Sequence, residues 1–172
     1  MTDGDFVRRN RLLWLMMAAS FLTPFTGSAL SLSLPDIGRQ YGQGAESLSW
    51  VLGSFLISAF LFLLPMGRLA ERWGKARLFA LGAGIFALTS FSCLLADSVA
   101  FLIGVRVLQG MGAAMNFATN NALLALAYPK EKRGGAMGWQ IAMVYVGLSL
   151  GPVLGGVLNH YMGWQSIFLF IG

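Results

Sequence analysis

The sequence predicts an all-α integral membrane protein, on three observations. Of its 172 residues 56% are hydrophobic and 11% charged, where soluble domains hold roughly 45–50% apolar and about 25% charged residues. The mean hydropathy is +0.68. The charges sit in short clusters separated by long uncharged runs, each close to the ~20 residues a helix needs to cross about 30 Å of hydrocarbon. So few charges could not cover the apolar surface of a soluble enzyme. Polar residues are too scarce for a disordered chain, and 22 Gly with 5 Pro show no three-residue period, which excludes a collagen-like chain. The single cysteine, Cys93, has no partner for an intramolecular disulfide.

The runs give the elements in order. Leu12 to Pro35, Ser47 to Gly67 and Leu78 to Ala96 are free of charge, and Ser98 to Pro129 carries only Arg106. After Lys130, Glu131, Lys132 and Arg133 the chain stays uncharged to its last residue, interrupted by Asn159-His160-Tyr161-Met162-Gly163. Helices are therefore expected at about 12–34, 47–67, 78–96, 99–128, 135–158 and 164–172, after a cytoplasmic tail at 1–11. The last run, nine residues, covers only about 13 Å of helix, so the sixth helix is expected to be truncated and the chain to be the front of a longer one. Arg8, Arg9 and Arg11 before an apolar core resemble a signal peptide, but the uncharged run exceeds the usual 7–15-residue core. Pro24 and Gly27 read instead as loosening a helix that lines a cavity.

With the N-terminus inside, ten of the twelve basic residues fall on one side: Arg8, Arg9 and Arg11; Arg68, Arg72, Lys75 and Arg77; Lys130, Lys132 and Arg133. That asymmetry orients a membrane protein, and it accounts for the +5 net charge without nucleic acid. Trp14, Trp50, Trp139 and Trp164 fall near span ends, as interfacial anchors do.

Three clusters exceed what lipid packing requires. Gly67 to Leu78 is a basic turn with glycine at Gly67 and Gly74 and with Glu71 placed to pair with a neighbouring Arg or a helix N-terminus. On the fourth crossing Arg106, Gln109, Ala113, Asn116 and Asn120 are spaced three, four, three and four, one helical face. A mid-membrane Arg costs about 2.5–3.5 kcal/mol on insertion scales, so the stripe is expected to face a wet cavity, with Thr119 and Asn121 as interhelical glue. On the fifth crossing Gly147, Gly151 and Gly155 recur every four residues beside Pro152 and Gly156; such steps let another helix approach closely. Other motifs fail. Gly82-Ala83-Gly84-Ile85-Phe86-Ala87 lacks a preceding strand, and Gly74-Lys75 lacks the rest of a phosphate loop. His160 has no companions for a metal, and no catalytic constellation exists, so neither enzyme activity, cofactor nor metal is expected.

In this order the clusters resemble those of the major facilitator superfamily of secondary transporters, over nearly the whole chain. Gly67 to Leu78 is similar to the family's G-x-L-A-D-R-x-G-R-K-x-x-L loop. Arg106-x-x-Gln109-Gly110-x-Gly112-Ala113-Ala114 is similar to its helix 4 motif, and Gly147-x-x-x-Gly151-Pro152-x-x-Gly155-Gly156 to the helix 5 motif associated with antiporters. Leu34-Pro35-Asp36-Ile37 resembles the 14-helix drug/proton antiporter branch. The chain departs at Glu71 (usually Asp), at Ala76 (usually basic) and at Thr26, where that branch commonly has an Asp.

The resemblance implies an N-terminal six-helix bundle that rocks against an absent C-terminal bundle around a midplane site, each bundle built from inverted three-helix repeats. It implies a small-molecule substrate, lipophilic or drug-like and exported, with H+ as a coupling ion, across a prokaryotic inner membrane. Arg106, Gln109, Asn116, Asn120 and Thr26 would line the pathway. Gly67, Glu71, Arg72, Gly74, Lys75 and Arg77 would form a cytoplasmic gate. Gly147, Gly151, Pro152, Gly155 and Gly156 would pack against the other bundle. A symporter or uniporter of the same superfamily, or a non-transporting membrane fragment, are the alternatives.

Overall fold

A computed structural model describes the backbone of residues 3–172 and the side chains from Leu13 onward; the side chains of Arg8, Arg9 and Arg11 lie outside the described residues. The helices are α1 (Asp3–Tyr41), α2 (Ala45–Trp73), α3 (Lys75–Cys93), α4 (Val99–Ala127), α5 (Lys130–Met162) and α6 (Gln165–Ile171). The first five are long and apolar enough to span a bilayer. Helices are the natural outcome there, because hydrocarbon offers no partner to an unpaired backbone N–H or C=O.

The helices overrun the uncharged runs. Asp36 and Arg39 lie inside α1, Arg68 to Arg72 inside α2, and Lys130 to Arg133 inside α5. Charge marks where the hydrocarbon ends, whereas a helix ends only where its backbone is broken or capped. Gly74, at φ +94°, breaks the chain between α2 and α3, and Gly163, at φ +80°, does so after α5. At the start of α4 the Ser98 Oγ accepts the Phe101 N–H at 3.2 Å, a side-chain cap. Helix α3 therefore starts at Lys75 and ends at Cys93, three residues earlier at each end than the charge pattern places it. Pro24 and Pro35 in α1, Pro65 in α2 and Pro152 in α5 interrupt none of these helices.

Packing follows an exchange rule rather than chain order. The dominant pairs are α1 with α5, α2 with α4 and α3 with α4, with α1 also meeting α6. Swapping helix numbers one, two and three for four, five and six turns α1·α5 into α4·α2, and α3·α4 into α6·α1. That is the signature of two interleaved three-helix units. The core runs the length of the bundle, from Met16, Phe79 and Leu124 at one end, through Phe25, Phe55 and Phe86, to Ile37, Leu102 and Phe168 at the other. Trp14, Trp50 and Trp139 are exposed, but Trp164 is 2% exposed and donates Nε1–H to Gln40 Oε1 at 2.7 Å. The expectation of an interfacial Trp164 is thereby corrected: this indole is core, pinning α6 to α1.

Candidate functional site

The α4 stripe is one face, as its spacing requires, and all five residues are buried. Arg106 is 1% exposed. Its Nε donates to the Val51 carbonyl of α2 at 3.1 Å and its Nη1 to Gln109 Oε1 at 2.7 Å. Gln109 Nε2 donates to Ser90 Oγ of α3 at 2.8 Å, and Ser90 Oγ to the Phe86 carbonyl at 2.7 Å. The guanidinium carbon lies 4.3 Å from the centroid of the Phe55 ring, a cation–π arrangement that strengthens as water is excluded. Among the described residues the one ion pair is Asp36–Arg39, at 3.6 Å, and no carboxylate among them pairs with Arg106.

Arg106 forms part of the wall of a cavity of about 570 Å³ between α1, α2, α4 and α5. Helix α1 contributes Thr23, Pro24, Gly27 and Ser28, α2 a row from Leu52 to Leu63, α4 Arg106 and Phe117, and α5 Val144 and Leu148. Pro24 and Gly27 do face a cavity, as their helix-loosening character suggests. The two hydroxyls donate inward: Thr23 Oγ1 to the Ala19 carbonyl at 3.1 Å and Ser28 Oγ to the Leu148 carbonyl at 2.9 Å. The wall is thus apolar with one charge, and that charge is positive.

The rest of the expected pathway residues are placed differently. Gln109 is fully buried in the α3–α4 seam, as the hydrogen bonds above require. Asn120 Nδ2 donates to Ser20 Oγ of α1 at 2.9 Å, a bond that ties α4 to α1. Asn116 faces α3, where its Oδ1 would stand 2.7 Å from any Cβ on Gly82, and it edges a smaller cavity of about 190 Å³. Thr26 is fully buried and bonds back to the Leu22 carbonyl at 2.6 Å. In this structure Gln109, Asn120 and Thr26 thus pack between or within helices and do not line the larger cavity. Helical periodicity identifies a common face but not the neighbour that the face meets. Thr23 and Ser28, which also line the cavity, carried no charge or motif to mark them.

The Gly67–Arg77 segment is a helix–glycine–helix corner rather than an extended loop. Gly67 is helical and only Gly74 has positive φ. Glu71, Arg72, Gly74 and Arg77 are exposed and Lys75 is half-buried, around a shallow depression closed by Leu123 and Leu126 of α4. Glu71 has no ion pair among the described residues, contrary to the pairing its position suggests.

The glycine ridge of α5 has a partner within the chain. A Cβ on Gly147 would stand 2.5 Å from the Phe21 carbonyl oxygen, and one on Gly155 would stand 2.5 Å from Ala29 Cβ. One on Gly151 would collide with Ser28 Oγ. All three glycines abut α1, so the expectation that this ridge meets another bundle is corrected. Gly156 has nothing within 4 Å of such a Cβ and Pro152 is exposed; these two lie off the seam.

The family model for the Major Facilitator Superfamily matches residues 16–172. Multidrug resistance protein Stp of Mycobacterium tuberculosis is 34% identical over 165 residues, 94% of this chain and 31% of that one. Riboflavin transporter RibZ of Clostridioides difficile is 30% identical over 158 residues, 92% of this chain and 35% of that one. Drug efflux pump JefA of Mycobacterium tuberculosis is 29% identical, covering 94% and 32% respectively. The chain thus spans about a third of the length of these curated relatives. The crystal structure of a bacterial homolog to the human lysosomal transporter Spinster, inward-facing and occupied, matches with a TM-score of 0.85 at 19% identity, over 95% of this chain and 41% of that one; this likeness is one of fold. Together with a multi-pass helical bundle whose contacts obey the three-plus-three exchange, these matches place the chain in the Major Facilitator Superfamily.

Proposed function

We propose that this chain is the N-terminal bundle of a secondary active transporter that exports lipophilic or drug-like small molecules by alternating access. The observation that carries the reading is the apolar cavity with Arg106 on its wall. It is of the size and character of small-molecule sites, and a buried, unneutralised guanidinium is costly unless it has a task. The names of Stp and JefA support export of drug-like compounds.

In this reading the N-terminus is cytoplasmic, by the excess of Lys and Arg at the α2–α3 and α4–α5 corners, and the membrane is a bacterial inner membrane. A C-terminal bundle completes the pathway. The exposed Glu71, Arg72 and Arg77, with Lys75, latch its cytoplasmic side, while Pro152 and Gly156 meet it from α5. Helices α1 and α5 move as one body, because their glycine seam leaves no room to slide. Exchange for H+ belongs to the same reading, with its titrating group elsewhere, since no described Asp or Glu lies on this cavity wall.

Arg106→Ala in the full-length protein is expected to abolish transport in proteoliposomes while leaving membrane insertion intact. Wild-type transport by that variant would remove Arg106 from the mechanism. A second reading, a solute transporter coupled in the opposite sense or not coupled, is favoured by the riboflavin transporter among the relatives. Substrate movement in the same direction as an imposed proton gradient would select the symporter, and transport indifferent to the gradient the uncoupled carrier.

A further inference from the structure

We propose that this cavity selects amphiphilic anions, an apolar body bearing one carboxylate or sulfonate, over cations of the same shape; the proposal rests on reading the cavity as the transport site. Arg106 is the one charged side chain on the wall. The described acidic residues, Asp36, Glu46, Glu71, Asp97 and Glu131, lie near helix ends or between helices, and none of them lines the cavity. No described acidic residue of this chain therefore compensates the charge at this wall.

Hydrogen bonding agrees. A guanidinium carries five N–H donors, and here one goes to Val51 and one to Gln109. The other three have no protein partner among the described residues. With Arg106 only 1% exposed they reach a ligand only where the guanidinium borders the cavity, where parallel N–H groups suit a carboxylate or sulfonate. The Thr23 and Ser28 protons are already donated to carbonyls, which leaves Arg106 as the anchoring group for an anion.

An organic cation finds the opposite. It would enter beside a fixed positive charge in a low-dielectric wall, where like charges repel strongly. The Phe55 ring nearest the charge, a face that could hold a cation, is already covered by Arg106. The ligand's apolar body, whatever its head group, is met by Leu52, Leu56, Ala59, Phe60 and Leu63.

Three fluorescent probes with one body separate these cases: pyrenebutyrate, its carboxamide and pyrenebutylamine, titrated against the full-length protein in zwitterionic nanodiscs. The carboxylate is expected to bind at least about tenfold tighter than the amine, with the amide between, as a charge-assisted contact requires. In Arg106→Gln the three affinities should converge to within about twofold, because the charge that ranks them is gone. Arg106→Lys should keep the order at smaller amplitude. If Arg106→Gln loses its thermal transition, the wild-type order decides alone. An amine that binds as tightly as the carboxylate, or an order that survives Arg106→Gln, overturns the anion preference and leaves the cavity a binding site. Absence of saturable binding by all three probes overturns both this proposal and the transport reading.

Discussion

Along α1 and α5 the bundle packs backbone against backbone, Gly147, Gly151 and Gly155 each lying over an α1 residue with no room for a methyl group. Across α2 and α4, the pair related to it by the exchange of halves, Gly110 alone makes such an approach, against the Phe55 carbonyl and Ser58. One turn away the same seam holds a buried arginine set over an aromatic face. Equivalent places in the fold have thus been filled with opposite materials. The glycine seam is closely packed, and in a bilayer close packing is what holds helices together. The polar seam spends part of its contact area on a charge at the rim of a cavity. Substitutions in the first should therefore be read out as stability, and in the second as transport.

The largest stability effect is predicted for Gly155→Val. Its Cβ meets Ala29 Cβ and, at 2.8 Å, Ala29 Cα, neither of which can swing away, so α1 and α5 must part. Overpacking of this kind costs about 1–3 kcal/mol or more, visible as a lowered thermal midpoint or loss of monodisperse protein. Gly156→Ala, one residue along and off the seam, should leave stability unchanged or raise it by up to about 1 kcal/mol. Equal losses in the two variants would break the comparison from the α1·α5 side.

On the polar seam, Arg106→Lys retains the charge but not the fork. We predict that transport falls by about tenfold or more while the thermal midpoint moves little, since Lys cannot reproduce a two-point contact. Unchanged transport would show that only net charge matters at this wall. Asn120→Leu removes the bond to Ser20 of α1. Interhelical hydrogen bonds in membranes average about 0.6 kcal/mol, so a slight destabilisation with transport within about twofold is expected. Loss of transport there would restore Asn120 to the pathway. The smallest effect belongs to Glu71→Gln, exposed and without an ion pair among the described residues, for which a stability change within about 0.5 kcal/mol is predicted by thermal unfolding.

The existence and order of the helices were legible because hydrocarbon tolerates few charges, and five uncharged or nearly uncharged runs stand out at once. Their ends were not, since Arg68 ends an apolar run inside α2 and Lys130 to Arg133 precede one inside α5, while Gly74 and Gly163 do end helices. The common face of Arg106, Gln109, Asn116 and Asn120 was legible from spacing. That only Arg106 of the four reaches the larger cavity was not, because the adjoining positions are set by α1, α2 and α3 together. The glycine ridge announced a close approach but not its partner, which lies more than a hundred residues earlier in the chain. On α1, Pro24 and Gly27 were legible as cavity-facing from their helix-loosening character, while Thr26, at a motif position, is turned into the packing.

That adjacency offers the most direct measurement. In a full-length Cys93→Ala background, Thr26→Cys and Gly27→Cys place a thiol on neighbouring residues of one helix, the first in a fully buried position, the second toward the cavity with nothing within 4 Å of its Cβ. Labelling with a small water-soluble thiol reagent should be fast at Gly27→Cys, slowed by a transported compound, and at least about tenfold slower at Thr26→Cys, since reaction needs a hydrated thiolate. Equal rates, or faster labelling at Thr26→Cys, would contradict a ligand pathway that runs through the cavity beside Arg106.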